Sequence, residues 1–216
     1  MGTTKPILMA AALAALSTLE ACSDERDLTP PAPGIATVGF LSAPIAVPEL
    51  TLSVAAMHLG HITVLGNAAP PPGGPSPLHG ARPADASTTE LEFDALSSGN
   101  SVIFSSLPQG LYSRVEFFAS KIAVAGSWRG RPMRALVALV MHKRIDLRAA
   151  TPHELGPGQN VTLTVAANPN TWFADNLLDA VLTATLPNAD LVVTDQENPD
   201  VATELVSRIA RSFQLR

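Results

Sequence analysis

The chain has 216 residues, 46% of them hydrophobic, enough for one core of ordinary size once an N-terminal stretch of about 35 residues is set aside. Nineteen acidic against fourteen basic residues give a formal charge of −5, which argues against a phosphate-gripping surface and so against nucleic acid as a partner. Cys22 is the only cysteine, so neither an internal disulfide nor a thiolate metal site can form.

Lys5 opens a short basic segment, and Ile7 to Leu16 follow as an apolar run too short for a membrane span. Ordinary signal peptidase requires small residues three before and directly before its cut, and Leu19 violates this for cleavage after Ala21. Leu19-Glu20-Ala21-Cys22 resembles the bacterial lipobox. The resemblance implies a signal peptide over residues 1–21, cleavage after Ala21 and a lipid, palmitate included, on Cys22. Ser23 after the lipidated position implies transfer to the outer membrane. The alternative is an uncleaved anchor with an incidental cysteine. Residues 22–35 are polar and then Pro-rich, the composition of a semi-extended tether.

Residues 36–216 are expected to form a single domain. Ala36 to Ser42 and Glu49 to Leu65 alternate as strands, with Leu50, Leu52 and Val54 on one face. The phase breaks near Ala56-Met57 and at His61-Ile62, which predicts bulges or a turn at Gly60. Residues 67–87, dense in Pro and Gly, read as a long exposed loop. Thr89, Leu91 and Phe93 against Glu90, Glu92 and Asp94 mark a strand with one wet acidic face. Ser101 to Ser106 and Tyr112 to Val124 follow after short turns, predicting a meander of three strands.

Ala135 to Met141 is a continuous apolar run that fits a central strand buried on both faces, with a helix as runner-up. Ile145 to Leu147 resumes alternation, and Val161 to Val165 adds a strand after Gly156-Pro157-Gly158. Helices are expected only late: a short one capped by Asn168 to Thr171 and starting near Trp172, and one over about 199–213 with Val201, Leu205, Ile209 and Phe213 as its apolar stripe and Glu204 and Arg208 as a surface pair. The pattern is that of a mainly β protein, an antiparallel β-sandwich with one or two short C-terminal helices.

Leu107-Pro108-Gln109-Gly110-Leu111-Tyr112, Trp172-Phe173-Ala174-Asp175 and the closing Ile209 to Phe213 resemble the transthyretin-like sandwich domains of bacterial lipoproteins of unknown function. That resemblance implies a transthyretin- or immunoglobulin-like sandwich and an envelope address, with Pro-Gly making a hairpin turn and Tyr112 packing back over it. It implies no activity.

Chemistry-bearing residues are few. His58 and His61 form the one close histidine pair; on a strand their spacing puts them on opposite faces, so they serve as metal ligands only if Gly60 bends the chain. His79, His142 and His153 have no ligand partner at a recognisable spacing. Glu90, Glu92 and Asp94 could bind Ca²⁺ or act as paired carboxylates, but read first as a solvated face. Trp128 with Arg129, Arg131 and Arg134 sits in a turn and could grip an anionic sugar or lipid head group by stacking and bidentate contacts; a solubilising hairpin tip is the competing reading. No nucleophile elbow, phosphate loop or cofactor motif is present, so the sequence marks neither an enzyme nor a cofactor. Asn160-Val161-Thr162 is read as an incidental sequon. The expectation is a non-enzymatic lipid-anchored envelope protein, structural or interacting with other envelope proteins or glycans; the alternative is a carbohydrate- or metal-binding module.

Overall fold

Period-two alternation of inner and outer residues marks strands such as Gly34–Ser42 and Asn160–Ala167. A computed structural model describes residues 32–68, 82–86, 90–97 and 99–216; for residues 68, 82–86 and 139–142 it describes the backbone alone. In chain order the elements are β1 (Gly34–Ser42), β2 (Leu50–Ala68), β3 (Arg82–Ala86), β4 (Leu91–Asp94), β5 (Asn100–Leu107), β6 (Gly110–Trp128), β7 (Arg131–Leu155) and β8 (Asn160–Ala167). A 3-10 turn (Pro169–Thr171), α1 (Asp179–Ala184), β9 (Leu191–Thr194), α2 (Pro199–Arg211) and β10 (Phe213–Leu215) complete them.

The strands make two packed sheets. Sheet I has the order β10-β8-β1-β5, and sheet II the order β3-β2-β6-β7-β9, with β4 also lying on β2. The fold is thus a mainly β sandwich, with helices only near its end. Both sheets are mixed, because β1 runs parallel to β8 and β7 parallel to β9, while every other pair is antiparallel. A parallel neighbour requires a long crossover, here the whole chain between β1 and β8 in one case and β8 with α1 in the other.

Four phenylalanines join the layers. Phe40 and Phe213 from sheet I meet Phe93 and Phe117 from sheet II, with centroids 5.4 Å apart for Phe40 and Phe117 and 5.3 Å for Phe117 and Phe213, both edge to face. All four are buried. Such pairs add about 0.5–1.5 kcal/mol each beyond the area they bury. Helix α2 lays Ala202, Leu205 and Ile209 onto this core. Past its end, Trp172 Nε1 donates to Ser212 Oγ at 3.0 Å, and Ser212 Oγ donates to the Ile209 carbonyl at 2.7 Å. The apolar stripe ends in Phe213, which is buried but belongs to β10 rather than to the helix.

Several local expectations are corrected. Leu50, Leu52 and Val54 do not share a face, because a bulge at Ser53 turns Val54 outward, to 41% exposure. Gly126 allows the two backbones to meet there; a Cβ on it would lie 1.9 Å from the Thr51 carbonyl oxygen. The stretch 67–87 is not all loop: Asn67 and Ala68 close β2, and 82–86 pair with it as β3. There is no meander, since β4 lies on β2, β5 crosses to β1 in the other sheet, and β6 returns to β2. Hence Leu107-Pro108-Gln109-Gly110 is an inter-sheet connection and not a hairpin, although Tyr112 does fold back, its hydroxyl donating to the Pro108 carbonyl at 2.6 Å. In the described part of the apolar run in β7, Ala135 and Val137 are buried and Leu136 between them is 50% exposed, so this part of the strand buries one face only. The 3-10 turn precedes Trp172, with Asn168 Oδ1 accepting from the Asn170 amide, and the first α-helix begins only at Asp179.

Candidate functional site

The β6–β7 hairpin is where the sequence concentrates its most suggestive side chains. Arg129 and Gly130, at φ 50° and 75°, form the two-residue turn that right-handed strand twist favours. The turn places Trp128 and Arg131 directly opposite each other, with Leu50 on the far side of Trp128. Trp128 is therefore an inner-face residue and is buried.

Two of the three arginines, Arg129 and Arg131, have an intramolecular use. The Arg129 amide donates to the Glu49 carbonyl at 2.8 Å, its Nε to Glu49 Oε2 at 2.7 Å, and its Nη1 to Asp179 Oδ1 at 3.0 Å. Its guanidinium lies 5.3 Å from the Trp128 ring centroid. The hydrogen bond to Glu49, then the charges of Asp179 and Glu49, hold its pKa above the ordinary arginine value. Arg129 thus clasps the start of β2 to the first turn of α1. Arg131 Nη2 donates to the carbonyls of Leu186 and Ala189, at 2.7 and 2.6 Å, and fixes the α1–β9 connection. Only Arg134 is directed to solvent, on the outer face of sheet II between Ala125 and Val192, where it makes no ion pair among the described residues. Most of the hydrogen-bonding capacity at the tip is therefore spent on the protein's own carboxylates and carbonyls, while the buried Trp128 Nε1 and Arg131 Nε have no partner among the described residues.

The histidine pair is placed differently from what strict alternation gives. Between Gly60 and Thr63, β2 carries one residue more than β6, and His61 takes φ 51° in this bulge. Buried positions change from Ala55, Met57 and Leu59 to Ile62 and Val64 across it. The bulge leaves His58 and His61 on the same outer face of sheet II, the bend at Gly60 that a metal reading requires. His61 stands edge to face on Phe118 at 6.0 Å, and His58 has Glu92 and Lys121 as its cross-strand neighbours. No group of three or more His, Cys, Asp or Glu able to hold a metal ion occurs among the described residues.

Elsewhere, His153 lies within β7 opposite Tyr112, and His142 also falls within β7. Cys22 and His79 lie outside the described residues. On the acidic strand, Phe93 is buried, Glu90 and Glu92 are exposed, and Asp94 Oδ1 accepts the Leu96 amide at 2.9 Å as part of the turn into β5. Three of the clefts in the surface, at residues 41–43 with 164–168, at 146–150 with 213–215, and at 42–45 with 95–97, include none of these side chains.

One charged cluster escaped the sequence reading. On the outer face of β6 and β7, Arg114 donates twice to Asp146, both at 2.6 Å, and also pairs with Glu116, which accepts from Arg144 at 2.6 Å. The hydrogen bonds from Arg114 hold the Asp146 carboxyl below its ordinary pKa. The signal lay in Arg114-x-Glu116 and Arg144-x-Asp146, opposite charges two apart that share a strand face.

Comparison with protein-family models, with curated proteins and with solved structures finds no significant match to this chain.

Proposed function

We propose that the chain is a lipid-anchored protein of the bacterial cell envelope, held in the outer membrane through Cys22, whose sandwich domain serves a structural or interaction role and carries no catalysis. The address rests on Leu19-Glu20-Ala21-Cys22 behind an apolar leader. The role rests on one observation: the side chains best suited to grip a ligand, Arg129 and Arg131 beside Trp128, are engaged with Glu49, Asp179 and two carbonyls of the α1–β9 connection. Freeing them for a ligand would leave these carboxylates and carbonyls without their donors.

Membrane fractionation tests the address. The wild-type chain should sediment with the outer membrane, and Cys22→Ser should redistribute; an unchanged distribution would refute it. A second reading, a metal-binding module, is supported by the bulge that puts His58 and His61 on one face. Calorimetric titration with Zn²⁺ decides it: saturable heat that His58→Ala and His61→Ala each abolish would favour this reading over the first.

A further inference from the structure

The chain enters the sandwich at one end and gathers its acid at the other. Ala32, whose carbonyl accepts the Gly158 amide at 3.1 Å, leads into β1, and Gly34 lies so close to Leu155 that a Cβ on it would come within 2.6 Å of the leucine Cγ. The β5–β6 connection and the β7–β8 turn close this same entry end, because Gly34 pairs with Leu107 and Gly110 with Leu155. The opposite end, at the Arg129–Gly130 turn, is up to about 60 Å away along the 19 residues of β6, at about 3.3 Å each.

The entry end exposes two large aliphatic side chains, Ile35 at 38% and Leu111 at 48%, on the outer faces of the two sheets. Behind Leu111, on the outer face of sheet II, three arginines, Arg114, Arg144 and Arg148, meet two carboxylates, Glu116 and Asp146. Arg148 is exposed and makes no ion pair among the described residues. Glu154, across from Leu111, is a third acid near this end. The far half is different in charge: from Asp175 to Glu204, through α1, β9 and the start of α2, the chain carries seven acidic residues and no lysine or arginine.

We propose that the entry end rests on the bilayer surface, with Ile35 and Leu111 at the headgroup boundary and Arg148 facing anionic headgroups, so that the Arg129–Gly130 turn points away from the membrane. The proposal rests on the lipid at Cys22 and adds an orientation and a lipid-contacting surface to it. Two observations select lipid as the occupant. Ala32 stands ten residues after Cys22, at most about 35 Å of extended chain, so this end is held beside the bilayer at a high effective concentration and a small contact suffices. Anionic headgroups also repel the acidic far half and attract the arginine face, and charge together with exposed apolar side chains is what binds a surface to the headgroup region.

The full lipidated chain in vesicles of phosphatidylethanolamine and phosphatidylglycerol tests this. The Cys22 sulfur carries the lipid, so a thiol introduced by Ile35→Cys, Leu111→Cys or Leu186→Cys is the only free one to take a fluorophore. Leu186, 78% exposed in the α1–β9 connection that Arg131 holds, marks the far end. Lipids bearing a nitroxide on the headgroup should quench the labels at 35 and 111 and leave the label at 186 bright. Adding Arg148→Glu to the Leu111→Cys chain, or raising the salt, should weaken the quenching with unchanged circular dichroism. If mass spectrometry finds the lipid on Cys22 and the labels at 35 and 111 are quenched no more than that at 186, the proposal is overturned while the anchor stands, and the entry end is open to a protein partner instead. Quenching at 111 that neither Arg148→Glu nor salt weakens overturns the part given to the arginine. A chain without lipid on Cys22 overturns the anchor and the orientation together.

Discussion

Helix α2 provides the sharpest test of how the domain is held together. Leu205 is fully buried, at 0% exposure, against the core that joins the two sheets. Leu205→Ala removes carbons worth about 0.8 kcal/mol per buried methylene, and the cavity left behind brings the loss to about 3–5 kcal/mol. That is a large share of the roughly 5–15 kcal/mol that stabilises a domain. Urea unfolding of the full chain followed by tryptophan fluorescence reads it directly. With a slope of about 2–3 kcal/mol per molar, the midpoint should fall by about 1–2.5 M at unchanged slope. Arg208→Ala is the comparison. Sequence places Arg208 on a wet face, but its side chain is only 18% exposed, pairs with Glu204 and donates to the Ala174 carbonyl. Its loss should cost about 1 kcal/mol, less than the leucine but above zero. If Leu205→Ala leaves the midpoint unmoved, α2 is not part of the core, and an amphipathic helix reserved for another protein's groove becomes the better account.

Gly126→Ala should destabilise by at least about 1–3 kcal/mol in the same assay, because its Cβ would collide with the Thr51 carbonyl oxygen and the Ser53 bulge cannot relax without losing register; a neutral result would mean the strands approach less closely. Tyr112→Phe should cost about 0.5–1.5 kcal/mol by stripping the Pro108 carbonyl of its donor, and burial raises the Tyr112 pKa, so the loss should be constant from pH 6 to 9. Asp146 has its pKa lowered by Arg114, so the contribution of that pair is complete above the unfolded carboxyl pKa of about 3.9 and lost as pH falls below it. At one-third exposure it is worth only about 0.2–1 kcal/mol: Asp146→Asn should destabilise by that much at pH 7, with the difference closing on acidification and shrinking in high salt.

Why the sequence reveals some of this and hides the rest follows from particular residues. Alternation through Gly34 to Ser42 and through Asn160 to Ala167 is unbroken, and these strands are legible because a half-buried strand must alternate. Bulges defeat the same reasoning: one extra residue at Ser53 and another near His61 invert the faces, whereas strict alternation puts Val54 on one face with Leu50 and Leu52 and the histidines on opposite sides. Which sheet a strand joins is also invisible locally. β4, β5 and β6 are separated by turn-length segments that suit a meander, yet the chain changes sheet at each one. The arginine tip was visible as composition. Its partners were not, because Glu49 and Asp179 lie 80 and 50 residues from Arg129, and only the fold brings them to it.

The claim on which the functional reading depends is the lipid on Cys22, and metabolic labelling with radioactive palmitate tests it most directly. The wild-type chain, expressed in a Gram-negative host and immunoprecipitated, should carry label and migrate as a form shortened by residues 1–21. Cys22→Ser should carry none and accumulate as the longer precursor. Equal labelling of the two chains, or a wild-type chain that is processed without any label, would contradict the account.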